Sequence, residues 1–110
     1  MDPFVELEYQ DKKFTTKVVE DGHKNPLWNE TFEIAIESLQ DELKISCYDQ
    51  DSLSNDLIGE LSVPLSKLCS VNEQWLNLDY KGKKAAEIMI SSNYTPPKES
   101  WNPDVRSSVI

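Results

Sequence analysis

Asp49, Asp51 and Asp56 stand within eight positions of one another, in the stretch YDQDSLSNDLIGE over residues 48–60, with no lysine or arginine between them. Crowded carboxylates can do few things. One is a solvated acidic turn, which is what most charge runs are. Another is general acid–base chemistry, which needs a nucleophile, a base and a pocket. The chain has a single histidine, His23, set in a different turn beside Lys24 and Asn25, and no catalytic set is visible. We therefore expect no enzyme. A third use is an EF-hand loop, D-x-[DN]-x-[DN]-G-x5-E. Asp49, Asp51 and Glu60 fit its first, third and twelfth positions. Leu53 and Ser54 occupy the fifth and sixth, where an oxygen ligand and the turn glycine are required, and the flanks read as strands. The fourth use is a calcium site built by loops at one end of a β-sandwich. Calcium is a hard cation that takes several oxygen ligands at about 2.3–2.6 Å. Asp-x-Asp in an extended segment sends both side chains to one side. Gln50 can offer its backbone carbonyl between them, and Asp56 returns at the far end of the loop. The residue types alone leave the solvated turn and the calcium site open.

The elements that must hold this loop read as strands. Val5, Leu7 and Tyr9 alternate with Glu6 and Glu8. KKFTTKVV, TFEIAI, LKISCY, ELSVPL, WLNLDY and AAEIMIS repeat the pattern, and turn-forming clusters such as QDK, DGHKNP, SLQDE and KGKK separate them. Seven short strands with one apolar face each imply an all-β antiparallel sandwich over residues 1–95. Pro64 suits a strand end, because proline cannot donate to a ladder. PLSKLCS is expected to make one helical turn. Residues 96–110 carry several prolines and read as a tail, with DVRSSVI at its end able to form a strand.

Composition narrows the partners. The chain has 110 residues, 20 acidic and 11 basic, with a formal charge of −9. Such a chain repels nucleic acid, so none is expected as a partner, and it meets an anionic membrane only through a basic patch or an added cation. No apolar run approaches the ~20 residues of a membrane span, and the N-terminus MDPFVELEYQ does not read as a signal peptide. Cys47 and Cys69 are accordingly read as reduced thiols of a cytoplasmic protein.

In order along the chain, DPFVELEY, DKKFTTKV, KNPLWNETFEI, LKISCYDQDSLSNDLIGELSVPL and AAEIMIS resemble the C2 domain. This is the calcium-dependent phospholipid-binding Greek-key sandwich of protein kinase C, synaptotagmins and small plant proteins. The resemblance runs from Asp2 to about Tyr94. It implies Ca2+ as cofactor, held by Asp2 at the end of the first loop and by Asp49, Asp51, Asp56 and the carbonyl of Gln50 in the third. It implies that Leu53 dips into the bilayer. Lys13 and Lys17, with Lys12 nearby, match a lysine-rich strand that binds phosphoinositides in some members, although the same lysines also suit an ordinary solvated strand face. Asn25, Pro26, Trp28 and Asn29 match residues that turn and pack the chain.

The chain departs from the family pattern in three ways. The spacing from Asp51 to Asp56 is one residue short. The strand before the D-P-F-V motif is absent, and most of the first loop, with one of its aspartates, is absent too. Lower charge lowers affinity, so one ion, or one tight and one weak, is expected. The unfilled sheet position is expected to be covered by the tail, by an upstream segment, or by a second chain in a homodimer made through strand exchange or edge pairing. The functional expectation is calcium-dependent, peripheral binding to anionic phospholipid membranes. Its alternative is a calcium-independent protein-interaction scaffold on the same fold.

Overall fold

In the computed structural model, which describes residues 2–20 and 26–96, the first alternating run becomes strand β1 (Pro3–Tyr9). It is followed by β2 (Lys12–Thr15), β3 (Glu42–Gln50), β4 (Asn55–Pro64), β5 (Ser70–Tyr80) and β6 (Lys83–Asn93). A 3-10 turn, Leu65–Leu68, joins β4 to β5 and fulfils the expectation for PLSKLCS. All pairings are antiparallel, in the order β2-β1-β3-β4-β5-β6. No helix among the described residues is long and apolar enough to cross a membrane.

Register puts like with like. Val5 lies opposite Cys47 and Leu7 opposite Ile45, so the apolar sides of β1 and β3 coincide. Glu6, Glu8, Lys44 and Glu60 take the other side, where Lys44 Nζ lies 3.4 Å from Glu60 Oε2. Between β4 and β5 the ladder narrows to one registered pair, Glu60 with Asp79. There the sheet divides into two layers, and Leu78 and Ile88 of the β5–β6 hairpin share a core with Leu7, Leu43, Ile45 and Val63. This is the sandwich implied by the alternation. Burying each large apolar side chain in that core stabilises the fold by about 1.5–3 kcal/mol. Gly59 makes the layers' close approach possible: a Cβ there would lie 3.1 Å from the Cβ of Leu78.

Two expected strands are shorter or absent as ladders. β2 stops at Thr15, yet the chain stays beside β1. The amide of Thr16 donates to the carbonyl of Val5, the amide of Val5 donates to Thr16 Oγ1, and the amide of Val19 donates to the carbonyl of Pro3. TFEIAI keeps its alternation, with Ile34 and Ile36 buried and Phe32 partly so, but makes only an isolated bridge at Ala35. Its neighbourhood is tied down through side chains instead. Trp28 Nε1 donates to the carbonyl of Pro3, and Glu30 accepts from the amide of Lys17. Alternation reports which side chains are buried, not where the backbone finds its partners. Among the described residues the sheet therefore has six strands rather than seven, with β2 and β6 at its edges. The expectations for the tail beyond Pro96, for His23 and for Asn25 fall outside the described residues.

Tyr9 fastens β1 to the segment before β3. Its hydroxyl donates to Asp41 Oδ2 at 2.5 Å and accepts from the amide of Glu37 at 2.8 Å. Burial, reinforced by the Asp41 carboxylate, raises the phenol's pKa. Tyr9→Phe leaves a peptide N–H and a carboxylate oxygen without this partner, at an expected cost of about 1–2 kcal/mol. Urea unfolding should show a lower midpoint with an unchanged slope. An unchanged midpoint would mean that the hydroxyl bridge holds nothing together.

Candidate functional site

The side of β3 that buries Leu43, Ile45 and Cys47 continues, at the same spacing, through Asp49 and Asp51. The apolar face thus ends in carboxylates at the end of β3. Asp49 is half-buried and Asp51 exposed. Cys47 registers the change: burial, then the nearby charge of Asp49, pushes its thiol up to about 11. Both cysteines are free thiols.

A bulge brings in Asp56. Cys47 pairs with Gly59, but Tyr48 pairs with Leu57, so Ile58 is an extra residue on β4. In an unbroken ladder Asp56 would lie opposite Gln50 and face away from Asp49. A one-residue shift turns a strand's side chains over, and Asp56 lies directly opposite Asp49. Like charges in such a cross-strand pair are destabilising by up to about 1 kcal/mol. Asp2 reaches the same end from β1. Its amide donates to Asp49 Oδ1 at 2.9 Å, and its carbonyl accepts from the amide of Gln50.

The β3–β4 loop closes on itself. The amide of Asp51 donates to the carbonyl of Ser54, and Asp51 Oδ1 accepts from the amide of Ser52 at 2.6 Å. Leu53, at the tip, is 94% exposed. Leu27 is 80% exposed and is held at this end, because its neighbour Trp28 bonds to Pro3. Sequence reasoning passed over Leu27. The signal was the adjacent pair Leu27-Trp28, since two successive large apolar residues in an extended segment cannot both face the core.

The fold therefore brings Asp2, Asp49, Gln50, Asp51, Asp56 and Leu53 to one end. The donors are hard oxygens of the kind calcium takes. The side chains are not gathered on one point: among the described residues no three His, Cys, Asp or Glu side chains are grouped closely enough to hold a metal. The β2 lysines lie elsewhere. The β1–β2 turn is at the other end of the sheet, and Lys13 lies opposite Glu8 and 4.0 Å from Glu6 Oε1. From Glu8 back to Pro3, which pairs with Asp49, is about 17 Å of strand. Lys12 and Lys13 are thus distant from the aspartates, and Lys17 is on the return path.

Comparison with known proteins agrees with this architecture. The C2 domain family matches residues 1–78. The chain is 32% identical over 95 residues to synaptotagmin-4 of Arabidopsis thaliana, covering 84% of this chain and 16% of that protein. It is 36% identical over 81 residues to mouse extended synaptotagmin-1, covering 71% of this chain and 7% of the relative. Human myoferlin is 31% identical over 98 residues, or 86% of this chain and 5% of its own length. The chain thus corresponds to a small part of each relative. Among solved structures, the tandem C2 domains of extended synaptotagmin 2 superpose with a TM-score of 0.66 at 25% identity, covering 87% of this chain and 35% of that one. A calcium-bound structure of the same domains gives 0.66 as well, at 25% identity, covering 87% of this chain and 37% of that one.

Proposed function

The chain belongs to the C2 domain family, and from that premise we propose that its aspartate-rich end binds anionic phospholipid membranes when calcium is present. The observation that carries this reading is the bulge at Ile58, which sets Asp56 against Asp49 at the loop end of β3 and β4. Asp2, Asp49, Asp51 and Asp56, with the carbonyl of Gln50, would hold the ion. Calcium supplies local positive charge where the empty loop is negative, and so reverses the sign of the field that a lipid phosphate meets. Leu53 and Leu27, exposed at the same end, add apolar contact with the interface. Lys17, and more remotely Lys12 and Lys13, add weak attraction to acidic headgroups if the domain tilts. The action is peripheral, cytoplasmic and non-enzymatic: a binding module that carries whatever is joined to it.

Co-sedimentation with phosphatidylserine-containing vesicles tests the reading. Binding should be strongest with calcium, fall in EGTA and weaken with added salt, since attraction extends only about 8 Å at physiological ionic strength. Equal sedimentation in calcium and in EGTA would transfer the domain to the calcium-independent scaffold reading.

A further inference from the structure

The β5–β6 turn carries a second charged feature, opposite in sign to the aspartate loop. Tyr80 pairs with Lys83, so Lys81 and Gly82 form a two-residue turn, and Lys84 follows. Three lysines therefore fall within residues 81–84 of a chain whose net charge is −9. All three are exposed.

Direction along the sheet places this turn. β5 runs antiparallel to β4, and Glu60 pairs with Asp79. Residues after Asp79 therefore advance the same way as residues before Glu60, toward Asp56 and the β3–β4 loop. The lysine turn and the aspartate loop share one end of the domain. The β1–β2 turn, with Lys12 and Lys13, is at the other.

Local structure does not ask for lysine here. Lys81 has φ 50° and Gly82 φ 80°, the left-handed pair of a type I′ turn. That conformation favours asparagine, aspartate or glycine at its first position and is disfavoured for a long side chain. The charge is kept against the backbone's preference. It is also little neutralised. Lys84 Nζ lies 3.0 Å from Glu87 Oε1. Lys81 Nζ lies 5.3 Å from the centroid of the Tyr80 ring. Among the described residues neither Lys81 nor Lys83 has an ion-pair contact.

We propose that Lys81, Lys83 and Lys84 form a cationic foot that rests on anionic phospholipid headgroups beside the aspartate loop and attracts the membrane whether or not calcium is bound. The partner is a membrane rather than a nucleic acid because a plane can touch one end alone. The acidic residues toward the far end of the domain then stay beyond the screening distance of about 8 Å, whereas a groove or duplex would face more of them. The proposal rests on the reading that this end faces the membrane and adds a residue set to it.

The test compares the wild type with Lys81→Asn and with Lys81→Asn/Lys83→Gln/Lys84→Gln. Partition is measured onto phosphatidylcholine vesicles with and without phosphatidylserine, in calcium and in EGTA. Lys81→Asn should weaken binding to the anionic vesicles about fivefold, and the triple variant roughly a hundredfold. Lys81→Asn should melt no lower than wild type, because asparagine suits the turn, and the calcium-induced rise in melting temperature should persist in both variants. Equal partition of wild type and triple variant in both buffers, whether high or nil, overturns the foot. Failure of the calcium reading looks different: wild type then behaves identically with calcium and with EGTA.

Discussion

Wild-type protein should melt on the order of 10 °C higher in saturating calcium than in EGTA, and Asp49→Asn/Asp51→Asn should abolish that rise. An ion at about a hundred times its Kd stabilises the state it binds by about 2.7 kcal/mol. For a domain of this size each kcal/mol moves the melting temperature by roughly 4–8 °C. The sign of the effect without calcium is the more telling part. Asp49 faces Asp56 across β3 and β4, and removing charge there relieves repulsion of up to about 1 kcal/mol. The double variant should therefore be more stable than wild type in EGTA and less stable in calcium. Thermal melts of the two proteins in the two buffers show whether the curves cross. A wild type indifferent to millimolar calcium would sink the site. A variant less stable than wild type in both buffers would mean that Asp49 serves chiefly to hold Asp2, whose amide it accepts.

Gly59→Val should cost about 3 kcal/mol. Valine suits a strand by propensity, so any loss arises from contact and not from the backbone. The added Cβ would sit 3.1 Å from the Cβ of Leu78 and 3.3 Å from its backbone carbon and oxygen. Overpacking of this kind costs about 1–3 kcal/mol, occasionally more. Those neighbours include main chain, so shortening Leu78 cannot make room. Leu78→Ala added to Gly59→Val should further destabilise rather than rescue, because Leu78 is fully buried. Urea midpoints of both single variants and the double would show it. Rescue by Leu78→Ala would mean that the far end of the leucine, rather than the strand itself, is what the valine meets. The position matters for the site because β4 and β5 meet in register only at Glu60 and Asp79. That junction sets the lysine turn relative to the aspartate loop.

Much of this was legible from residue order, for reasons that differ by element. β1, β3, β6 and the part of β4 from Glu60 onward follow from alternation, which a half-buried strand imposes. The aspartates were legible because unpaired like charges in a short loop call for an explanation. Ladder membership was not legible for Phe32–Ile36, since burial and backbone pairing are separate requirements. The bulge left a trace: Leu57 and Ile58 are adjacent apolar residues followed by Gly59, a break in alternation inside an otherwise regular strand. Nothing in a single sequence says which strand face that break will turn. KGKK was readable as a turn, but its end of the sandwich depends on a long-range pairing between β4 and β5.

The register around Ile58 separates two tasks within one hairpin. Asp49 and Asp56 are set opposite each other by ladder pairs on the core side of the loop, and Gln50 with Asn55 closes that ladder. Only Asp51 to Ser54 lie beyond it. The length of that tip does not enter the pairing of the two carboxylates, so the shorter spacing from Asp51 to Asp56 leaves Asp56 in place. Among the carboxylates of this hairpin, it is Asp51 that shares its segment with Leu53. The hairpin is in this sense modular: its stem fixes two of the charges, and its tip can vary in length and greasiness while the stem keeps its phase.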